Sequence, residues 1–183
     1  MQASASGSLV ERMMGAARLN SATYEEVERD TNATVQAAIV VVLAALAGGI
    51  GSLGDDDAGK AFIGGIIGGL IGWVAFAAAA YFVGTKILAA AGTEADLGQL
   101  LRVLGFAQVP SLITVLGFIP VVGAILALIA FIWIILTTIT ALKAALEMET
   151  GRAIATAILA IIAEIIVLAI VAAIIGVGVY GLG

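Results

Sequence analysis

The chain contains neither cysteine nor histidine among its 183 residues. Their absence excludes disulfides, the usual zinc sites, thiol catalysis and His-dependent catalytic triads. A metal ion would have to be a hard cation held by carboxylates. Because no pair of polar residues stands at catalytic spacing either, we expect no enzymatic activity, no catalytic residue, no metal and no cofactor.

Charge is also scarce. Charged residues make up 11% of the sequence, whereas they make up about a quarter of a typical soluble domain. The net charge is −5, and no run of basic residues is present, so nucleic acid is not expected as a partner.

What fills the chain instead is apolar sequence, 62% of all residues with a mean hydropathy of +1.20. Runs of 18 or more nearly uncharged apolar residues are typical of membrane-spanning helices. We therefore predict an all-α fold, a polytopic transmembrane bundle of five spans with short N-terminal amphipathic helices. Residues 1–35 are expected to form a cytoplasmic segment with an interfacial helix, and residues 36–183 the membrane domain. The predicted spans are 36–53, 61–84, 99–116, 121–142 and 153–176.

The polar segments between and before the spans carry helix-start signals. Leu9, Val10, Met13, Met14 and Ala17 recur at helical spacing, which indicates a helix lying on the membrane surface or, alternatively, a chance pattern in an unstructured terminus. Capping boxes are predicted at Thr23–Glu26 and at Thr93–Asp96. The second would start the polar lead of the third span.

Basic residues alternate between the two sides of the predicted topology. Seven of the eight lie in the N-terminal segment and the second and fourth loops, and one, Lys60, lies in the first loop. The positive-inside rule then places the N-terminus in the cytoplasm and the C-terminus outside. The composition, rich in Ala, Gly and Val, favours a prokaryotic plasma membrane.

Glycines cluster in the second span. In lipid, helices associate through close packing of small residues, so this pattern indicates a helix-packing face, within the bundle or in a homo-oligomer. The glycines lie inside an apolar span and no GK[ST] motif follows, which excludes a phosphate-binding loop. The residues are Gly64, Gly65, Gly68, Gly69 and Gly72.

Pro110 and Pro120 are the only prolines. Pro110 lies inside the third span and is expected to kink it, with Gln108, Ser111 and Thr114 near enough to satisfy the freed carbonyl. The kink could serve packing or act as a hinge. Pro120 is expected in the first turn of the fourth span.

Glu164 lies near the middle of the fifth span. An ionisable residue at that depth is a functional hypothesis by default. Its expected hydrogen-bond partners are Thr137, Thr138 and Thr140. A structural hydrogen bond, contact with a ligand or partner, and ion or proton handling all stay open. The Asp55–Asp57 turn is interpreted as solvated, with weak Ca²⁺ binding as the alternative.

Three stretches together resemble the prokaryotic members of the YIP family, the Ypt/Rab-interacting proteins. They are YEEVERDTNATVQA (24–37), GTEADLGQLLRVLGFAQVPSL (92–112) and ALEMETGRAIATA (145–157). The resemblance implies a non-enzymatic five-span integral membrane protein, in which Gly105, Phe106 and Pro110 are family-pattern residues.

The resemblance also implies a class of function. Eukaryotic relatives act in vesicle traffic and bind Rab GTPases, but the family's Asp-Leu-Tyr-Gly-Pro motif has no match here, so we do not expect a Rab-type GTPase as partner. We expect a membrane scaffold or adaptor, or an accessory subunit of a membrane complex. Its partners would be membrane lipids and other membrane proteins or further copies of the chain. The alternative is a small transporter or channel using Glu164 and the Pro110 kink.

Overall fold

A computed structural model describes residues 7–52, 58–89 and 93–180, with side chains for all of these except 58–64 and 171–180. All regular structure in these ranges is helical, which confirms the predicted all-α class. The helices are α1 (Leu9–Ala17), α2 (Ser21–Arg29), α3 (Ala33–Gly51), α4 (Ala58–Phe82, extended by a π-helical turn, Val83–Ile87), α5 (Leu97–Phe106, followed by a 3₁₀ segment, Val109–Leu116), α6 (Val122–Ala145) and α7 (Thr150–Tyr180).

Five segments are long and apolar enough to cross a membrane, as predicted. Large apolar side chains face outward along them: Leu128 is 60% exposed, Phe131 63% and Ile165 61%. Apolar surface this extensive is stable against lipid rather than water. The spans are Ala33–Gly51, Gly65–Ile87, Leu97–Leu116, Val122–Ala145 and Thr150–Ile170.

The third span changes helix type where a kinked α-helix was predicted. Helix α5 ends at Phe106, and the 3₁₀ segment begins at Val109 with Pro110 in its first turn. Pro110 has no N–H to donate to the carbonyl of Ala107. The Thr137 hydroxyl donates to that carbonyl at 2.8 Å. The replacement donor therefore comes from α6, across the bundle.

Two predicted helix starts are displaced. Helix α2 begins at Ser21 and is capped by Asn20, whose side chain accepts from the Ala22 amide at 3.0 Å, so the predicted box at Thr23 is wrong. Helix α5 has its capping box at Asp96 and Gln99, three residues after the predicted one. In both cases an Asx side chain takes the cap, in keeping with the higher N-cap preference of Asn and Asp over Thr.

The turn between the third span and α6 depends on close backbone contacts. A Cβ on Gly51 would lie 2.0 Å from the Thr114 carbonyl oxygen, and one on Gly123 would lie 2.1 Å from that of Gly117. Only glycine allows these approaches. Pro120 lies in this turn, ahead of α6 and not in its first turn as predicted, because α6 begins at Val122.

The N-terminal helices are held against the bundle by a buried arginine. Arg12 is 1% exposed. Its guanidinium donates to the carboxylates of Glu26 and Asp30 and, at 2.8 Å, to Gln36 Oε1 on α3. The hydrogen bond from Arg12 is the largest of the effects that lower the pKa of Asp30. One side chain thus joins α1, α2 and α3.

A second polar contact fixes the end of α2. Gln99 Nε2 donates to Glu28 Oε1 at 2.9 Å, and Arg102 Nε donates to the Glu28 carbonyl at 3.0 Å. Burial raises the pKa of Glu28, while Arg29 and Arg102 partly offset the effect. Because Trp133 Nε1 also donates to the Ala17 carbonyl at 2.8 Å, the α1–α2 hairpin is bonded to both α5 and α6.

Candidate functional site

Glu164 lies on the bundle-facing side of α7, in line with the buried residues Ala153, Ala157 and Ala160. It is 14 residues beyond Thr150, where α7 begins, or about 21 Å along the helix. Its carboxylate faces α4: a Cβ on Gly72 would lie 3.3 Å from Glu164 Oε1. The glycine therefore provides the space that the carboxylate occupies between the two helices.

A polar cavity of about 330 Å³ opens beside this carboxylate. Its polar lining comes from three spans: Glu164 on α7, Trp73 on α4, and Gln108 and Ser111 at the 3₁₀ segment. The Ser111 hydroxyl lies 3.5 Å from Gln108 Oε1, and Trp73 Nε1 donates to the Leu101 carbonyl at 2.9 Å. Gly65, Gly69 and Gly72 form its wall on α4. The small residues of α4 thus leave open space next to polar groups inside the membrane.

An apolar groove of about 400 Å³ lies on the other side of Glu164, between α6 and α7. Phe76 and Phe131 contribute aromatic walls, and Ile135 and Ile158 are among its aliphatic residues. Gln108 and Glu164 line both this groove and the polar cavity. Two of the three candidate functional residues inside the membrane, Glu164 and Gln108, therefore lie at the junction of the two cavities, and the third, Pro110, lines neither.

Two of the three threonines predicted as partners of Glu164 bond elsewhere, and none of the three bonds to it in the described structure. The Thr137 hydroxyl donates to Ala107 O, and that of Thr140 donates to Leu136 O of its own helix. Thr138 lines the apolar groove. No side chain in the described part of the chain donates a hydrogen bond to the Glu164 carboxylate. Its oxygens can therefore accept hydrogen bonds from molecules in the two cavities.

The predicted glycine face divides into two parts. Gly69 meets α3, since its Cβ would lie 3.5 Å from Ala45 Cβ, and Gly72 meets Glu164. At Gly65 and Gly68 a Cβ would meet nothing within 4 Å. Gly64 lies within residues 58–64 of α4, for which the structure gives the helix but not the surroundings of the side chains. The face is thus packed toward the C-terminal end of α4, at Gly69 and Gly72, and open toward its N-terminal end, at Gly65 and Gly68.

Of the family-pattern residues, Gly105 lies at the α3–α5 crossing, and Phe106 and Pro110 follow it in the chain. A Cβ on Gly105 would lie 2.7 Å from Ala37 Cβ and 3.1 Å from the Ala37 carbonyl oxygen. Phe106 is fully buried and Pro110 is buried. Gly105 therefore allows the two helix backbones to touch, and these residues act in packing rather than in contact with solvent.

A metal centre has no support among the described residues, where no group of three or more acidic side chains could hold an ion. The Asp55–Asp57 turn lies outside the described residues. The aromatic lining residues Trp73, Phe76 and Phe131 were not singled out from the sequence. Aromatic residues at helical spacing are common in any span, and only the register of α4 against α6 and α7 shows that these three line the cavities that Glu164 also lines.

An all-helical chain with five apolar spans, arranged around polar groups in their interior, is a polytopic integral membrane protein. The model of the Yip1 domain matches residues 18–177, which include all five spans, and the chain therefore belongs to that family. This confirms the resemblance seen in the three sequence stretches. Neither the curated proteins nor the solved structures contain a significant match to the chain.

Proposed function

We propose that the protein acts as a non-enzymatic membrane scaffold or adaptor, or as an accessory subunit of a membrane complex. The observation that supports this proposal is the open glycine face of α4. At Gly68, which does not line the polar cavity, nothing lies within 4 Å of an added Cβ. Small residues at an uncovered helix surface let another helix approach closely, which is how helices associate in lipid.

The surroundings of the face suit such a contact. Ile67 and Ile71 are 55% and 54% exposed on the same stretch of α4, and they would interdigitate with the side chains of an incoming helix. The partner would be another membrane protein or a second copy of the chain. The buried Arg12 contacts hold the N-terminal hairpin near the start of α3, where it would remain accessible to soluble partners.

Native purification in mild detergent with mass spectrometry tests the proposal. We expect a stoichiometric membrane partner or a homo-oligomer, and its loss in Gly68→Leu because the larger side chain blocks close approach. Gly151→Leu is the matched control, since its Cβ also meets nothing within 4 Å but lies at the start of α7. A monomer without partners, or equal recovery of the partner with Gly68→Leu, would contradict the proposal.

A second candidate function is a small transporter or channel. The specific observation that favours it is that Gln108 and Glu164 line both cavities, which would let a solute pass from one to the other. Flux into liposomes that contain the purified protein tests it. We expect Glu164→Gln to stop flux, and flux that is unchanged in this variant would exclude the mechanism.

For the orientation, we propose a cytoplasmic N-terminus, an external C-terminus and a prokaryotic plasma membrane. The support is the distribution of basic residues, seven against one, together with the odd number of spans. Lys and Arg in short loops determine which side stays in the cytoplasm.

A further inference from the structure

We propose that the junction of the two cavities binds a lipophilic organic cation, with Glu164 as its counter-charge and Trp73, Phe76 and Phe131 as its aromatic contacts. This inference concerns binding inside the bundle. It goes beyond partner recruitment at the open face of α4, and it stands whether or not that face has a partner.

Charge is the first argument. Among the described residues that line the two cavities, Glu164 is the only one with an ionisable side chain, and the others are apolar, hydroxyl, amide or aromatic. A carboxylate in such surroundings is costly without a positive partner. No described residue of either cavity supplies one, so a cationic ligand would complement the carboxylate, whereas an anionic ligand would be repelled by it.

The aromatic rings are the second argument. Trp73 lines the polar cavity, and Phe76 and Phe131 line the apolar groove. The face of an aromatic ring attracts a cation, most strongly where water is excluded. Cavities lined by both aromatic rings and one carboxylate therefore suit an organic ammonium or phosphonium ion, whose charge is spread over apolar substituents. An inorganic divalent ion would instead need several oxygen ligands.

Size and access are the third argument. The cavities measure about 330 and 400 Å³, which is within the range of about 300–1,000 Å³ found for small-molecule sites. Phe131 and Ile158 line the groove and are 63% and 54% exposed. Since these side chains lie on membrane-spanning helices, the groove opens toward lipid. A ligand that dissolves in the bilayer can enter from there, with its apolar part in the groove and its charge at Glu164.

Equilibrium dialysis of the purified full-length chain in mild detergent with tetraphenylphosphonium tests the proposal. We expect saturable binding at one site per chain and at least a tenfold loss of affinity in Glu164→Gln. Glu149→Gln is the matched control, because it removes the same charge from an exposed position just before α7 and should leave the affinity unchanged. Binding that does not saturate, or that is equal in Glu164→Gln, would overturn the proposal.

Two further measurements keep the test independent of how the variants fold. In the unmodified chain, tetraphenylphosphonium should slow the labelling of Glu164 by a membrane-soluble carbodiimide. Triphenylphosphine oxide, a neutral compound of related shape, should neither bind comparably nor protect. Equal binding of the neutral compound would show a merely apolar cavity and overturn the cation site.

Because the isolated chain is used, a negative result here leaves the scaffold proposal unaffected. The absence of a partner protein likewise leaves the proposed cation site unaffected.

Discussion

The Thr137 hydroxyl on α6 donates to the carbonyl of Ala107 at 2.8 Å. In a 3₁₀ pattern this carbonyl would accept from the residue three positions later, which is Pro110 and has no N–H. The same hydroxyl lies 3.0 Å from the Ile134 carbonyl and 3.1 Å from the Trp133 carbonyl of its own helix, so the contact across the bundle is the shortest of the three. A side chain of α6 thus completes the backbone of the third span.

Replacing Thr137 by Val should lower the free energy of unfolding by about 1–3 kcal/mol, the usual cost of leaving a buried acceptor unsatisfied. Thr137→Ser, which keeps the hydroxyl, should retain most of the stability. Thermal unfolding in mild detergent measures the difference. Thr140→Val is the control because the Thr140 hydroxyl bonds only to Leu136 of the same helix, and it should have a small effect.

A double-mutant cycle with Pro110→Ala separates this mechanism from a loss of packing. Alanine at position 110 restores an N–H that can reach the Ala107 carbonyl. The cost of Thr137→Val should therefore shrink in the Pro110→Ala background. Equal costs in both backgrounds would show that the hydroxyl does not replace the missing backbone donor.

Gly105→Ala should destabilise the crossing of α3 and α5. The new Cβ would lie 2.7 Å from Ala37 Cβ and 3.1 Å from the Ala37 backbone, and neither backbone can yield without moving a whole helix. Overpacking of this kind costs about 1–3 kcal/mol. Gly151→Ala adds the same methyl group in open space and should be neutral. Comparable unfolding temperatures for the two variants would contradict the close contact.

Arg12→Met should release the N-terminal hairpin. Removing one member of a buried ion pair costs about 3–5 kcal/mol, but the Glu26 side chain is 41% exposed, so we expect about 2 kcal/mol. Arg12→Lys should not restore the loss, because an ammonium group cannot bond to both oxygens of Glu26 and also reach Gln36. Faster hydrogen exchange in α1, with unchanged exchange in α6, is the expected measurement. Full rescue by lysine would show that charge alone holds the hairpin.

Glu28→Gln should change how stability depends on pH. Burial raises the pKa of Glu28 in the folded protein, above an unfolded value of about 4.3. Its contribution is therefore complete below that unfolded value and is lost as pH rises through the folded pKa. Gln at position 28 stays uncharged and can still accept the Gln99 hydrogen bond. The variant should gain stability relative to the parent as pH rises above about 4.3, and the same pH dependence in both proteins would contradict the assignment.

Some parts of this structure could be predicted from the sequence, and others could not. The five spans follow from composition, because a backbone in lipid must bond internally and needs about 20 apolar residues to cross. The chemistry of Glu164 and Gln108 was also predictable, since polar groups are rare inside spans. Their meeting at one junction was not, because it depends on the rotation of α7 against α4 and on the 3₁₀ winding after Phe106. The sequence signal for the 3₁₀ segment is Pro110 alone, and a proline is equally compatible with a kinked α-helix.

The membrane topology remains a prediction that one set of fusions can decide. A reporter fused after Gly183 should be active only outside, because five spans place the two ends on opposite sides. A reporter inserted in the turn between Ala145 and Thr150 should be active only in the cytoplasm, since Lys143 and Arg152 flank that turn and basic residues are retained there. A cytoplasmic signal from the first fusion together with one from the second would mean that α7 does not cross the membrane. Glu164 would then lie outside the hydrocarbon region. Its charge would no longer be costly there, and the charge argument for the cation site would fail.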